Sequence, residues 1–155
     1  WNSICAWGPT AMLPIFQLLG TEYCRKDIIT RFINKEKMYD GFTKISFIYP
    51  HAVASMKVGQ GAKSEGEMIV SGTKGYIYVP APWWKTDYFE VRYENQQNNK
   101  RYFYQLDGEG LRYELLSFLK AIRTGKEFSY VANDISKAIT STIADFYAHQ
   151  DMTVI

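Results

Sequence analysis

Between Gly20 and the stretch near residue 110 the sequence falls into short strand-like runs broken by Gly, Pro and Asn, and three of them, 42–49, 52–58 and 87–94, alternate apolar and polar residues with a period of two. No helical stretch interrupts those runs. This feature does most to limit the fold. Parallel neighbours need a long crossover, usually a helix, between successive strands, and none is available here. A doubly wound parallel sheet is therefore excluded. The runs are residues 27–34, 42–49, 52–58, 67–71, 76–79, 87–94 and 101–106. In the second, Ile45, Phe47 and Tyr49 point one way, and Ser46 and Ile48 the other. In the sixth, Phe89, Val91 and Tyr93 oppose Glu90, Arg92 and Glu94. The short connections between runs favour antiparallel pairing.

Helical spacing flanks this block. Met12, Ile15, Phe16 and Leu19 predict a helix over 8–19, with Pro9 in its first turn, a kink or a later start at Pro14, and Gly20 as its stop. Leu111, Leu115, Phe118, Leu119 and Ile122 form one apolar stripe ended by Gly125. Ile135, Ile139, Ile143 and Phe146 form another over about 133–148, with Asp134 suited to the helix dipole. The order is helix, six or seven strands, two helices. It predicts an α+β fold: a large open, mostly antiparallel sheet with helices packed on one face. The other face carries Tyr and Phe among charged neighbours, and such a face invites a partner.

Composition bounds the function. The chain has 155 residues, 46% hydrophobic and 22% charged, which is globular rather than disordered. A chain of this length buries a core without disulfide or metal staples. No apolar run reaches the ~20 residues of a membrane helix. The 18 basic and 16 acidic residues are scattered and give a net charge of +2, which argues against a nucleic-acid surface. Two cysteines, Cys5 and Cys24, are too few for a secreted disulfide framework and read as small apolar fillers. Two histidines without a Cys cluster exclude a structural zinc site. The chain begins at Trp1 inside an apolar pattern with no leader-like n-region, so the sequence reads as a fragment of a longer protein.

The glycine motifs read as turns. Gly59-Gln60-Gly61 lacks the third glycine of a dinucleotide fingerprint, since Ser64 stands there, and no helix follows. Gly72-Thr73-Lys74-Gly75 is too short for a phosphate loop. Trp83-Trp84-Lys85 follows Pro80-Ala81-Pro82. Two adjacent tryptophans either stack on a sugar ring or partner, or cover a sheet edge. His51 and His149 lack the positioned second group that acid–base chemistry needs, and read as turn or surface residues. Asp107 and Glu109 in a glycine loop read as a helix entry rather than a cation site.

Three stretches together resemble the C-terminal domain of the Gfo/Idh/MocA oxidoreductases. They are Val70-Ser71-Gly72-Thr73-Lys74-Gly75-Tyr76-Ile77, Pro80-Ala81-Pro82-Trp83-Trp84, and Leu111 to Ile122 with Gly125-Lys126. The likeness runs from about residue 4 to residue 148, and the Pro-Trp-Trp stretch is similar to the dihydrodiol and xylose dehydrogenase branch. It implies that residues 1–155 are a single substrate-binding and oligomerisation domain. A Rossmann domain carrying the Lys-Pro motif and the NAD or NADP fingerprint would lie outside this chain. The implied reaction is hydride transfer with a sugar, cyclitol or nucleotide sugar, in a cytoplasmic homodimer formed through the open sheet face, without nucleic acid, membrane or metal.

The family also presents an acidic residue and, four positions on, a His or Tyr on the first helix of this region. Here those positions are Ala6 and Thr10. The resemblance therefore implies that Thr10 orients the substrate hydroxyl, with the base mostly upstream. Asn2 and Trp7 line the pocket, and Trp83, Trp84 and Lys85 form a rim for substrate or a dimer partner. The substitution of the acid–base pair leaves a second reading, a non-catalytic relative serving assembly or ligand sensing. The fragment alone is expected to show no turnover.

Overall fold

The first helix begins at Ser3, not at residue 8. In the computed structural model, which describes residues 2–105, 107–108, 110–126 and 129–155, α1 spans Ser3–Leu19 with both Pro9 and Pro14 inside it. Asn2 explains the early start. Its side-chain oxygen accepts the Cys5 N–H at 3.2 Å, satisfying a donor that the first turn leaves orphaned. Pro9 therefore sits in the second turn rather than the first. The end is as expected: Gly20 has φ +79° and its N–H bonds Phe16 O.

The chain divides into two units, Trp1–Lys63 with Tyr130–Ile155, and Ser64–Ser129. The first holds strands β1 (Arg25–Asn34), β2 (Tyr39–Ile48) and β3 (Val53–Gly59). The second holds β4 (Met68–Gly72), β5 (Gly75–Val79), β6 (Tyr88–Tyr93), β7 (Lys100–Phe103) and helix α2 (Leu111–Thr124). The chain then returns to the first unit with α3 (Asn133–Tyr147) and β8 (Met152–Val154). The fold is α+β with mostly antiparallel strands, divided between two four-stranded sheets ordered β3-β2-β1-β8 and β4-β5-β6-β7. β8, absent from the sequence reading, pairs parallel to β1.

In the first unit the period-two alternation decides what is buried. Ile28, Ile45 and Met56 lie opposite one another across β1, β2 and β3, as do Thr30, Thr43 and Val58. All are buried, with Ile4, Met12 and Phe16 of α1 and Ile135 and Phe146 of α3. An aromatic group closes the core: the Phe47 ring lies 5.0 Å from Phe16 and 5.1 Å from Tyr23, edge-on to both. The opposite strand positions Arg31, Lys44, Ser55 and Lys57 are exposed. The helices α1 and α3 thus cover one face of this sheet.

The second unit is less buried. The β4–β5 turn needs Gly75, since a Cβ there would lie 2.4 Å from Arg92 O. The stripe expected on α2 is present, but Leu111, Leu115, Phe118, Leu119 and Ile122 are all exposed. Cys24 is exposed rather than a core filler, while Cys5 is half-buried. His51 is exposed. His149 sits past the end of α3 with its ring 6.3 Å from Phe32. Asp107 pairs with Arg112 at the entry to α2. Glu109 lies outside the described residues.

Candidate functional site

The residues expected to face substrate fall into two groups, one in each unit. The first group is on α1. Trp7 and Thr10 are three residues apart, hence on one helix face, and the core stripe of Ile4, Gly8, Met12 and Phe16 occupies another. Trp7 is 53% exposed. Thr10 is exposed, and its hydroxyl makes no hydrogen bond to a described residue. Pro14, four residues on, has no N–H to give the Thr10 carbonyl. Thr10 therefore presents a hydroxyl and a carbonyl lacking its usual helical donor. Ala6 is half-buried and offers no polar group.

Asn2 is placed differently. It is buried, and its amide is fully engaged: Nδ2 donates to Met38 O at 3.2 Å and to Tyr147 Oη at 3.0 Å, while Oδ1 caps Cys5. Its observed work is to join the start of α1 to the β1–β2 turn and to α3. The Cys5 thiol lies 3.3 Å from Tyr147 Oη. That contact, with partial burial, pushes the Tyr147 phenol above its ordinary value, so it stays protonated at neutral pH.

A residue that the sequence did not single out anchors the same helix end. Asp40 is fully buried, and its carboxylate accepts the Ile4 N–H at 3.2 and 3.3 Å and the Thr43 hydroxyl at 2.5 Å. Thr43 Oγ1 in turn lies 2.9 Å from Thr30 Oγ1. The Ser3 hydroxyl donates to Asp40 O at 2.8 Å and accepts the Gln60 N–H at 3.2 Å. A carboxylate at the positive end of a helix is favourable, and the hydrogen bonds offset its desolvation. Asp40→Ala strands two buried donors and is expected to cost about 3 kcal/mol of unfolding free energy, measured by urea titration. Asp40→Asn, which keeps one acceptor, costs less.

The second group is the 3-10 turn Trp83–Lys85. Trp83 N–H bonds Gly66 O at 2.8 Å. The two tryptophan rings meet edge to face at 6.0 Å. Trp83 is half-buried and Trp84 is 52% exposed. A side chain at position 66 would meet the Trp84 ring at 3.1 Å, so Gly66 lets the indole lie against the backbone. Lys85 is exposed. Trp84 thus lies against the Gly66 loop while presenting half of its surface to solvent.

The β4–β7 sheet adds a polar–aromatic array. Glu90 is largely buried between two arginines, with Arg92 at 2.6 Å and Arg101 at 2.5 Å. Hydrogen bonds from Arg92 and then Arg101 hold its carboxyl below the usual range. The Arg92 guanidinium lies 4.4 Å from the Tyr78 ring centre, and Arg101 4.7 Å from that of Tyr88. A depression of about 340 Å³ at the β4–β5 hairpin, lined by Val70, Ile77, Val91 and Tyr93 among others, touches none of the expected site residues.

The described residues do not fit a dinucleotide cradle. The Gly59-Gln60-Gly61 stretch ends β3 and leads to no helix. The N-terminus of α1 holds the Asp40 carboxylate, and the first turns of α2 and α3 carry Glu114 and Asp134. An acidic group at each helix start disfavours phosphate there. Among the described residues, no three His, Cys, Asp or Glu side chains gather to hold a metal, and no helix is long and apolar enough to cross a membrane.

No protein-family description and no curated protein matches this sequence. Solved structures do match its fold. KijD10, a 3-ketoreductase from Actinomadura kijaniata in complex with NADP and TDP-benzene, superposes with a TM-score of 0.77 at 9% identity, over 99% of this chain and 47% of that one. An aldose-aldose oxidoreductase from Caulobacter crescentus, complexed with glycerol, gives a TM-score of 0.70 at 15% identity, over 91% of this chain and 43% of that one. The chain therefore spans about half the length of these structures. At such identities the likeness establishes the fold: an α+β half shared with oxidoreductases.

Proposed function

We propose that this chain is the substrate-binding and oligomerisation domain of an oxidoreductase of the Gfo/Idh/MocA kind. It would act by hydride transfer between NAD or NADP and a sugar, cyclitol or nucleotide sugar. The observation that carries the proposal is the superposition of nearly the whole chain on half of an NADP-bound ketoreductase. The dinucleotide is held chiefly by residues outside this sequence, in keeping with the acidic helix starts described above. Trp7 and Thr10 supply one wall of the site, with the Thr10 hydroxyl orienting a substrate hydroxyl. Asn2 acts behind them by fixing the start of α1. Trp83, Trp84 and Lys85, which lie in the other unit, offer a separate surface for substrate or a dimer partner. The protein is cytoplasmic and assembles as a homodimer through an open sheet face.

The test starts from the coding sequence upstream of Trp1. The expected result is a glycine fingerprint and a Lys-Pro motif there, and saturable quenching or enhancement of NADPH fluorescence by the full-length protein. A polyol screen then yields turnover that Thr10→Val lowers at least tenfold, with nicotinamide binding unchanged. No upstream fingerprint, or no dinucleotide binding, would overturn the proposal. A second reading, a non-catalytic assembly or sensing protein, is favoured by one observation: Ala6 and Thr10 stand where the family carries an ionisable pair. Dinucleotide binding without turnover on any polyol would select it.

A further inference from the structure

Helix α1 keeps a proline at position 9 and another at position 14, and each removes a donor from the helical ladder. An interior proline is the costliest residue a helix can carry. Yet α1 stays helical from Ser3 to Leu19. A locally unfavourable residue that persists in a fold points to what it exposes.

Each proline leaves the carbonyl four residues back without its usual donor. Pro9 does this to Cys5, and Pro14 to Thr10. The surroundings of the two carbonyls differ. Cys5 is half-buried, with its thiol on Tyr147 of α3. Thr10 is exposed. Trp7, Thr10, Pro14 and Gln17 follow the three- and four-residue steps of one helix face. Trp7 is 53% exposed, Gln17 is exposed and Pro14 is half-buried. Trp7 and Thr10 are about 4.5 Å apart along the axis, within the span of one sugar ring. This face carries no charge, and α1 has no Asp, Glu, Lys, Arg or His between Ser3 and Leu19. A carbonyl oxygen accepts only from a donor, and an ionised carboxylate or phosphate has none to give.

We propose that Pro14 sets substrate specificity: by withholding an N–H, it leaves the Thr10 carbonyl to accept a hydroxyl of a neutral polyol, next to the hydroxyl that Thr10 Oγ1 orients. The proposal rests on the reading of Trp7 and Thr10 as one wall of the substrate site, and deepens it. Pro14 acts through the Thr10 carbonyl and is therefore a positioning residue. The ligand class follows from the groups present. The part of the substrate on α1 carries adjacent hydroxyls and no anionic group, with the Trp7 ring as an apolar platform beside them.

The test returns the missing donor. Pro14→Ala gives the Thr10 carbonyl an N–H. Pro9→Ala does the same for the Cys5 carbonyl, beside α3. Both changes relieve an interior helix proline, so both proteins are expected to unfold at higher urea concentration than wild type. Kinetics of the full-length protein are then measured with D-glucose, D-xylose and myo-inositol as probes, and with whichever of NAD and NADP it binds. For the polyol turned over best, Pro14→Ala is expected to raise KM about fivefold, the scale of one neutral hydrogen bond, with kcat within about twofold. Pro9→Ala leaves KM and kcat as in wild type, although it alters the helix in the same way. Single-deoxy derivatives of that polyol provide a second arm. One of them raises the wild-type KM about fivefold and raises the Pro14→Ala KM no further, because both changes delete the same bond. A wild-type protein that turns over none of the probes would overturn the substrate wall and this proposal with it. Turnover with KM unchanged in Pro14→Ala, an equal rise in Pro9→Ala, or losses that add for every deoxy derivative would overturn the role of Pro14 alone.

Discussion

Phe47→Ala is expected to lower the unfolding free energy by about 3–5 kcal/mol. Phe47 is fully buried on β2, where its ring meets Phe16 of α1 and Tyr23 ahead of β1. Removing it deletes apolar contact and leaves a void that three separate segments must close. Two edge-to-face ring pairs are lost as well, each worth about 0.5–1.5 kcal/mol beyond area burial. Typical domain stability is about 5–15 kcal/mol, so this single change consumes a large share of it. Phe103→Ala deletes the same atoms at a site that is 75% exposed, and is expected to stay within about 0.5 kcal/mol. Urea titrations of the two variants measure the contrast. Equal losses would mean that Phe47 does not lie in a close-packed core.

The same residue shows what a sequence reveals about such a fold. Ile45, Phe47 and Tyr49 alternate with polar or less buried neighbours, and that pattern is local. It is enough to tell which face of β2 packs. The helical phase that puts Trp7 and Thr10 away from Met12 and Phe16 is local too. What the sequence hid depends on contacts made far along the chain. Asn2 bonds Met38 and Tyr147, at separations of 36 and 145 residues. Nothing near Asn2 foretells those partners, although an Asn ahead of Ser3-Ile4-Cys5 was a legible N-cap that moves the helix start upstream. Asp40 follows a turn and reads as solvent-facing until α1 is laid over it. The three-residue β8 has no period of its own and exists because the edge of β1 accepts it. The strand-like runs identified β1 to β7 but not which strands pair, so the division into two sheets of four was not legible.

Lys26→Met is expected to cost about 3 kcal/mol at neutral pH, with a distinctive dependence on pH. Lys26 is buried on β1, and its ammonium reaches Asp145 of α3 at 2.7 Å and Asp151, just before β8, at 3.5 Å. Burial alone would lower its pKa. The Asp145 hydrogen bond and the nearby charges outweigh burial and raise it above the ordinary value. A group whose pKa is raised by folding binds its proton more tightly in the native state. Its stabilisation is full below the unfolded pKa of about 10.5 and is lost as pH climbs through the higher folded value. The gap between wild type and Lys26→Met should therefore be constant from pH 7 to about pH 10 and shrink above that. The cost at neutral pH comes mainly from leaving Asp145 without its partner. Replacing both members, Lys26→Met with Asp145→Leu, should then recover most of the loss, because no buried charge is left uncompensated and Asp151 is 45% exposed to water. Urea titrations of the three proteins across this pH range decide the matter. A gap that stays constant to pH 12 would show that the Lys26 charge contributes nothing to holding β1, α3 and β8 together.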